Sequence, residues 1–228
     1  MTLFDNHTAK FSNRSLGLVG CRPPSFGGDD YIRAKCFEYL QLQPNPMYVD
    51  IGACIGKMSM IAALHPDIRV IAFEPYPVAL ECLRENLELN NLTYRVRVEP
   101  YALSDQEGIA SLTVPVTDKD GKSGNIGWAH VMPPSQIPSW GGTQIRVEIA
   151  TRTLDSFGIE RIDVMKIDVE GFEHKVVLGG EETIARCRPI IVVETNPKGS
   201  HALDLLQSWG YEIFDVYCAD VWLRPKEK

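Results

Sequence analysis

Short apolar runs alternate with amphipathic stretches along most of this chain. Asp29-Asp30 read as the start of a helix through Leu40, with Ile32, Cys36, Phe37 and Leu40 on one face. Residues 48–51 and 70–73 read as buried strands and 57–64 as a helix. A second helix spans 77–89, with Pro at its start and Asn90-Asn91 after its end, and a third strand follows at 94–98. The order resumes with a strand at 164–167, a helix from about 172 to 187, a strand at 190–193 and a helix at 202–209 that Gly210 stops. Runs at 211–216 and 221–223 close the chain as an antiparallel hairpin. Apolar strands alternating with helices predict an α/β fold: a mostly parallel sheet, helices on both faces, right-handed crossovers.

The middle breaks this rhythm. Two β-like runs, 110–114 and 145–150, flank a loop rich in Gly, Pro and Trp. The expected organisation is an N-terminal lead-in and helix over 1–46, then a single domain over 47–228 with a β-rich insertion at about 109–150.

Composition narrows the class. With 228 residues, 44% hydrophobic and 23% charged, the chain can bury a full core, which excludes a disordered or fibrous protein. A formal net charge of -7 without a basic block argues against nucleic acid as a partner. No apolar segment reaches membrane-span length, and the N-terminus lacks a signal-peptide core. Six cysteines form no C-x-x-C pair, so they read as small hydrophobes in a reducing, cytoplasmic setting.

The stretch Met47-Tyr48-Val49-Asp50-Ile51-Gly52-Ala53-Cys54-Ile55-Gly56-Lys57 carries the first chemical signal. A strand ends in an acid and then a glycine-spaced turn. In parallel sheets such turns lie at the carboxyl edge, where ligands bind. Glu74 ends the next strand, and its two oxygens match the vicinal hydroxyls of a ribose. The glycine spacing is G-x-x-x-G rather than the dinucleotide G-x-G-x-x-G. Asp50 beside a pyrophosphate would repel it, so a cationic nucleoside such as S-adenosylmethionine suits Asp50 and Glu74 better.

Lys166-Ile167-Asp168-Val169-Glu170-Gly171-Phe172-Glu173 carries the second signal. Side-chain period two puts Lys166 and Asp168 on one strand face, with Asp168 at the carboxyl tip near the glycine turn. A carboxylate there can take a proton from a hydroxyl acceptor, so Asp168 and Glu170 are the candidate catalytic residues. His174 and His130 are weaker candidate bases. Asp168, Glu194 and Asn196 offer oxygen ligands for Mg²⁺ or Mn²⁺ from adjacent strand tips, the candidates for a metal site. Trp128 and Trp140 could form an apolar platform for an acceptor.

Five segments in order, VDIGACIG (49–56), FEPYP (73–77), ALSDQEG (102–108), TLDSF (153–157) and KIDVEGFE (166–173), resemble the FkbM-type methyltransferases. The resemblance covers roughly residues 47–195. It implies the Rossmann-like, seven-stranded fold of class I S-adenosylmethionine-dependent methyltransferases. It also implies O-methyl transfer to a carbohydrate or other small molecule. By position, Asp50, Gly52, Ala53 and Gly56 would hold the methionine end of the cofactor and Glu74 its ribose. The segment Ala102-Leu103-Ser104-Asp105 would meet the adenine, with Ser104 and Asp105 as its polar contacts, and Asp168 would lie near the methyl group. Cys54 stands where the family's first motif usually has Asn, and a thiol cannot copy amide hydrogen bonds. The alternatives are an NAD-dependent oxidoreductase and a non-catalytic nucleoside-binding module.

Overall fold

The computed structural model describes residues 10–11, 28–115, 130–131 and 144–227. Five helices are described: α1 (Gly28–Leu40), α2 (Pro77–Leu89), α3 (Glu173–Leu178), α4 (Glu181–Cys187) and α5 (His201–Ser208). The first strands are β1 (Met47–Ile51), β2 (Arg69–Phe73), β3 (Val96–Glu99), β4 (Ala102–Leu103), β5 (Gly108–Pro115) and β6 (His130–Val131). Then come β7 (Gln144–Arg152), β8 (Val164–Ile167), β9 (Ile190–Glu194), β10 (Tyr211–Tyr217) and β11 (Asp220–Pro225).

The main sheet has seven strands in the order β10-β11-β9-β8-β1-β2-β3. The pairs β3–β2, β2–β1, β1–β8 and β8–β9 are parallel. β11 runs antiparallel between β9 and β10. The closing hairpin thus forms as expected, but its second strand is inserted inside the sheet rather than added at the edge. Its composition explains this. Val221, Trp222 and Leu223 are fully buried, whereas β10 leaves Ile213 and Val216 exposed.

Alternate residues of each central strand feed different cores, as a period of two demands. Val49, Ile51, Ile71, Phe73, Met165, Ile167, Ile191 and Val193 pack against α3, α4 and α5. Tyr48, Val70, Ala72, Val164, Val192 and Trp222 pack against α1, α2 and the segment 58–62. Asp50 and Lys166 have the even parity of this second face, and they are register partners across β1 and β8.

Two predicted helices are corrected. The stretch read as a helix over 57–64 is a short 3₁₀ turn, Ser59–Ala63. Met58, Ser59, Met60, Ile61 and Ala62 are all buried, so this is a wedge without the polar face a surface helix needs. The helix predicted from 172 to 187 is two, broken at Gly179-Gly180. A Cβ on Gly179 would stand 1.9 Å from the Ser104 carbonyl oxygen, so the chain must bend where another backbone crosses it. The third strand begins at Val96, because Tyr94 points to solvent.

The smaller sheet runs β4-β7-β5-β6, with β5 and β7 paired antiparallel from Gly108↔Thr151 to Pro115↔Gln144. Leu112, Val114 and Ile149 from it close over Ile55, Tyr76 and Cys82. It therefore leans over the carboxyl edge of the main sheet. Trp128 and Trp140 lie outside the described residues, as does the side chain of His130.

Candidate active site

The carboxyl ends of β1, β2 and β8 open on a cleft. From β1 and its turn come Ile51, Gly52 and Cys54; from β2 come Phe73 and Glu74; after β8 come Asp168, Val169 and Glu170. Tyr101, Ala102, Leu103 and Leu112 form the opposite wall. Between these walls lies a cavity of about 120 Å³.

The glycines of the first turn answer to protein neighbours. Gly52 has φ +84°, and a Cβ there would sit 1.8 Å from the Asp168 carbonyl oxygen. Gly56 has φ +90°, and its Cβ would meet Leu83 Cδ1 at 2.4 Å. Gly52 N–H and Ala53 N–H both donate to the Phe73 carbonyl, at 3.0 and 2.9 Å. The turn is thus clamped between β2 and the chain leaving β8. Gly52 lines the cleft, while Ala53 is buried and Gly56 faces α2; neither of these two lines it.

Asp50 is set back from the cleft. It is buried and accepts the Ser59 hydroxyl at 2.5 Å, which secures the 3₁₀ wedge beneath the turn. Its expected contact with a bound ligand is not provided by the cleft lining.

Glu74 does line the cleft, and it is already engaged. Its Oε2 accepts Cys54 N–H and its Oε1 accepts Tyr76 N–H, each at 2.8 Å. Each oxygen keeps a further lone pair for a ligand hydroxyl. Burial pushes its pKa up to about 7 against these two backbone donors, and the charges of Asp50 and Asp168 add to the rise.

Cys54 sits between these features in the left-handed region, at φ +51°. Asn and Gly tolerate that conformation better than Cys. Replacing Cys54 with Asn should raise stability by about 0.5–1 kcal/mol, the scale of relieving one left-handed strain. A urea midpoint that falls in Cys54→Asn would contradict this.

Asp168 stands at the tip of β8. Lys166 Nζ donates to its Oδ2 at 2.5 Å, as the shared strand face predicts. Burial disfavours the ionised form of Asp168, but the Lys166 ammonium outweighs it and holds the carboxyl below the ordinary range. Glu194, at the end of β9, behaves oppositely. Burial and the hydrogen-bonded Asp168 carboxyl push it up to about 8. Glu170 lines the cleft with φ +55°, followed by Gly171 at φ +98°. A non-glycine residue held there is the kind of strain that clusters at functional sites. Glu173 supports this turn by accepting the Gly171 N–H at 2.8 Å.

Ser104 and Asp105 lie outside the first cleft, in a neighbouring one between the small sheet and α3. There Ser104 Oγ donates to Asp105 Oδ1 at 3.1 Å and Lys175 donates to Asp105 Oδ2. Burial works against the ionised Asp105, but these two donors outweigh it and keep its pKa low. Phe172 borders both clefts. His174 faces His201 across α3 and α5, in a groove away from the cleft, so it is not placed to act as a base there.

The expected metal ligands do not assemble. Asn196 Oδ1 accepts the Lys198 N–H at 2.9 Å, closing its own turn. Asp168 and Glu194 hydrogen-bond each other, and the Lys166 ammonium, on Asp168 and 3.8 Å from Glu194 Oε2, puts a side-chain cation against both acids. Among the described residues no cluster of His, Cys, Asp and Glu is arranged to hold a metal ion.

Sequence reasoning passed over Lys166 as a member of this constellation, although its i, i+2 spacing to Asp168 was the available signal. It also passed over Tyr101 and Phe73 as cleft walls, which only strand ends brought together could reveal.

Strand order, the inserted antiparallel β11 and the cleft at the carboxyl edge define a Rossmann-like methyltransferase fold. A solved methyltransferase FkbM from Methylobacillus flagellatus KT superposes with TM-score 0.53 at 16% identity, covering 96% of this chain and 56% of that one. The sequence profile of the methyltransferase FkbM domain matches residues 50–213, and the chain belongs to that family. Methyltransferase sdnD of Sordaria araneosa is 29% identical over 209 residues, covering 78% of each chain. The 31-O-demethyl-FK506 methyltransferase FkbM of Streptomyces tacrolimicus is 29% identical over 202 residues, covering 76% of this chain and 75% of its own. The 2-O-methyltransferase NoeI of Sinorhizobium fredii is 29% identical over 153 residues, covering 64% of this chain and 62% of its own. No helix among the described residues is long and apolar enough to cross a membrane.

Proposed function

We propose that the chain transfers a methyl group from S-adenosylmethionine to a hydroxyl oxygen of a carbohydrate or other small molecule. The observation that carries this reading is that Glu74, Asp168 and the Gly52 turn all line one cleft at the carboxyl ends of β1, β2 and β8. Relatives named for 2-O and 31-O methylation support a hydroxyl acceptor.

The residues present fit such a cofactor. Glu74 would take the ribose hydroxyls. Phe73, Tyr101 and Leu103 would flank the base, in place of Ser104 and Asp105. The Gly52 turn and Asp168 would border the sulfonium end. The cofactor supplies a methyl carbon activated by its positive sulfur. The chain would align an acceptor hydroxyl with it, and Asp168 or Glu170 would take the hydroxyl proton as the C–O bond forms and the C–S bond breaks, with S-adenosylhomocysteine leaving.

Calorimetry with S-adenosylhomocysteine and with NAD separates this reading from an oxidoreductase. A labelled-methyl assay over saccharide and small hydroxyl acceptors separates it from a non-catalytic module. Binding of NAD in preference to the sulfur nucleoside would end it.

Glu74→Gln provides a sharper check. Hydrogen bonds to a charged acceptor are worth about 1.5–3 kcal/mol, so S-adenosylhomocysteine affinity should drop about 10- to 100-fold. Wild-type affinity should rise with pH through about 7, as the buried Glu74 ionises, and stay flat in the variant. Folding stability runs the other way. A carboxyl whose folded pKa is raised keeps a proton the unfolded chain has lost, so this contribution fades as pH climbs toward 7.

A further inference from the structure

Lys166 is buried in a strand otherwise made of apolar residues, and its ammonium is ringed by acids. Asp168 lies on its own strand, with Nζ to Oδ2 at 2.5 Å. Glu194 ends the neighbouring β9, with its Oε2 at 3.8 Å. Glu194 is largely protonated near neutral pH, whereas Asp220, its register partner on β11, adds a negative charge that acts on the ammonium. On the other side, Asp50 is the register partner on β1, and the Cys36 thiol of α1 faces it. A lysine this deep would tend to lose its proton, unless carboxylates held it charged as Asp168 and Asp220 do. Oxygen atoms converging from several strand tips are what a hard divalent cation requires. Here a covalently attached cation already stands against two of these acids, and the acid nearest to it reaches the cleft.

We propose that Lys166 is a built-in cation: it occupies the place a divalent ion would take among Asp168, Glu194 and Asp220, and positions the ionised Asp168 carboxylate at the reacting end of the cleft, so that methyl transfer proceeds without a metal. The proposal rests on the methyltransferase reading of that cleft. Lys166 acts through Asp168 and is a positioning residue. Its role differs from packing, because a metal ion should be able to replace it in a variant that leaves space, and a side chain of similar length without charge should not.

Two variants test this beside the wild type. Lys166→Met fills the volume and removes the charge; Lys166→Ala removes both. Electron paramagnetic resonance titration with Mn²⁺ should show no site at these acids in the wild type or in Lys166→Met, and a new bound ion in Lys166→Ala. Wild-type methyl transfer should be unchanged in chelator. In Lys166→Met, kcat should fall about 100-fold or more, the lower range for one acid–base group, while S-adenosylhomocysteine affinity stays within about threefold. Lys166→Ala should be equally slow in chelator and regain at least about tenfold with Mg²⁺ or Mn²⁺. Wild-type kcat in Lys166→Met, chelator-sensitive wild-type turnover, or a Lys166→Ala protein that takes up no Mn²⁺ would overturn the proposal. The wild-type chelator arm needs no variant to fold. If the wild type binds no sulfur nucleoside, the methyltransferase reading fails instead, and the Mn²⁺ arm still decides whether Lys166 fills a cation position.

Discussion

Gly52→Ala should lower stability by about 3–5 kcal/mol, the sum of overpacking and a left-handed backbone. The added Cβ would lie 1.8 Å from the carbonyl oxygen of Asp168 and 2.9 Å from its carbon. Neither atom can swing aside. Asp168 N–H donates to the Ile51 carbonyl, so this stretch of backbone is tied to β1 itself. The φ of +84° adds strain for any side chain. Gly171→Ala is the control. Its φ is +98°, but nothing lies within 4 Å of the new Cβ, so only the backbone cost of about 1–2 kcal/mol applies. Guanidinium midpoints for both variants check the ranking. Equal loss at the two sites would show that contact with Asp168 does not decide the role of Gly52.

Asp168→Asn should reduce turnover by about 10²- to 10⁴-fold, the usual contribution of a positioned acid–base group. The amide keeps the shape of the carboxylate but not its charge. It cannot accept a proton, and it leaves the buried Lys166 with a neutral partner. The expected signature is a fall in kcat with little change in the KM for S-adenosylmethionine, since Glu74 and the Gly52 turn carry the nucleoside contacts proposed here. Stability should fall as well, because removing one partner of a buried pair leaves the other charge poorly compensated. The variant is therefore assayed below its melting temperature, with Glu170→Gln as comparison. If Asp168→Asn and Glu170→Gln both retain full activity, no carboxylate of this turn is the base.

Much of this architecture was legible because it follows from local periodicity. The central strands are apolar on both faces, which marks a covered parallel sheet whatever the rest of the chain does. Helix α2 was bounded correctly by Pro77 and Asn90, since both signals act within one turn of the helix end. Lys166 and Asp168 were placed on one face by strand geometry alone, and their ion pair follows. The split of the predicted 172–187 helix was hidden for the opposite reason. Its cause is the Ser104 carbonyl, 75 residues or so away in sequence, pressed against Gly179.

The same division runs through the candidate site. Which residue types stand at strand tips is a property of the chain: an acid before the glycine turn, an acid after the second strand, a Lys-x-Asp-x-Glu run later. Which of them face the cleft is not. Asp50 and Glu74 look equivalent in sequence, yet one bonds Ser59 beneath the turn and the other lines the opening. Gly52 and Gly56 invite a ligand on paper, whereas their missing side chains make room for Asp168 and Leu83. Asp168, Glu194 and Asn196 spell a metal site only until Lys166 is found against the two acids. Periodicity and turn chemistry act over a few residues and can be read along the chain. Orientation toward a shared cleft depends on contacts between distant segments, and those exist only once the sheet has assembled.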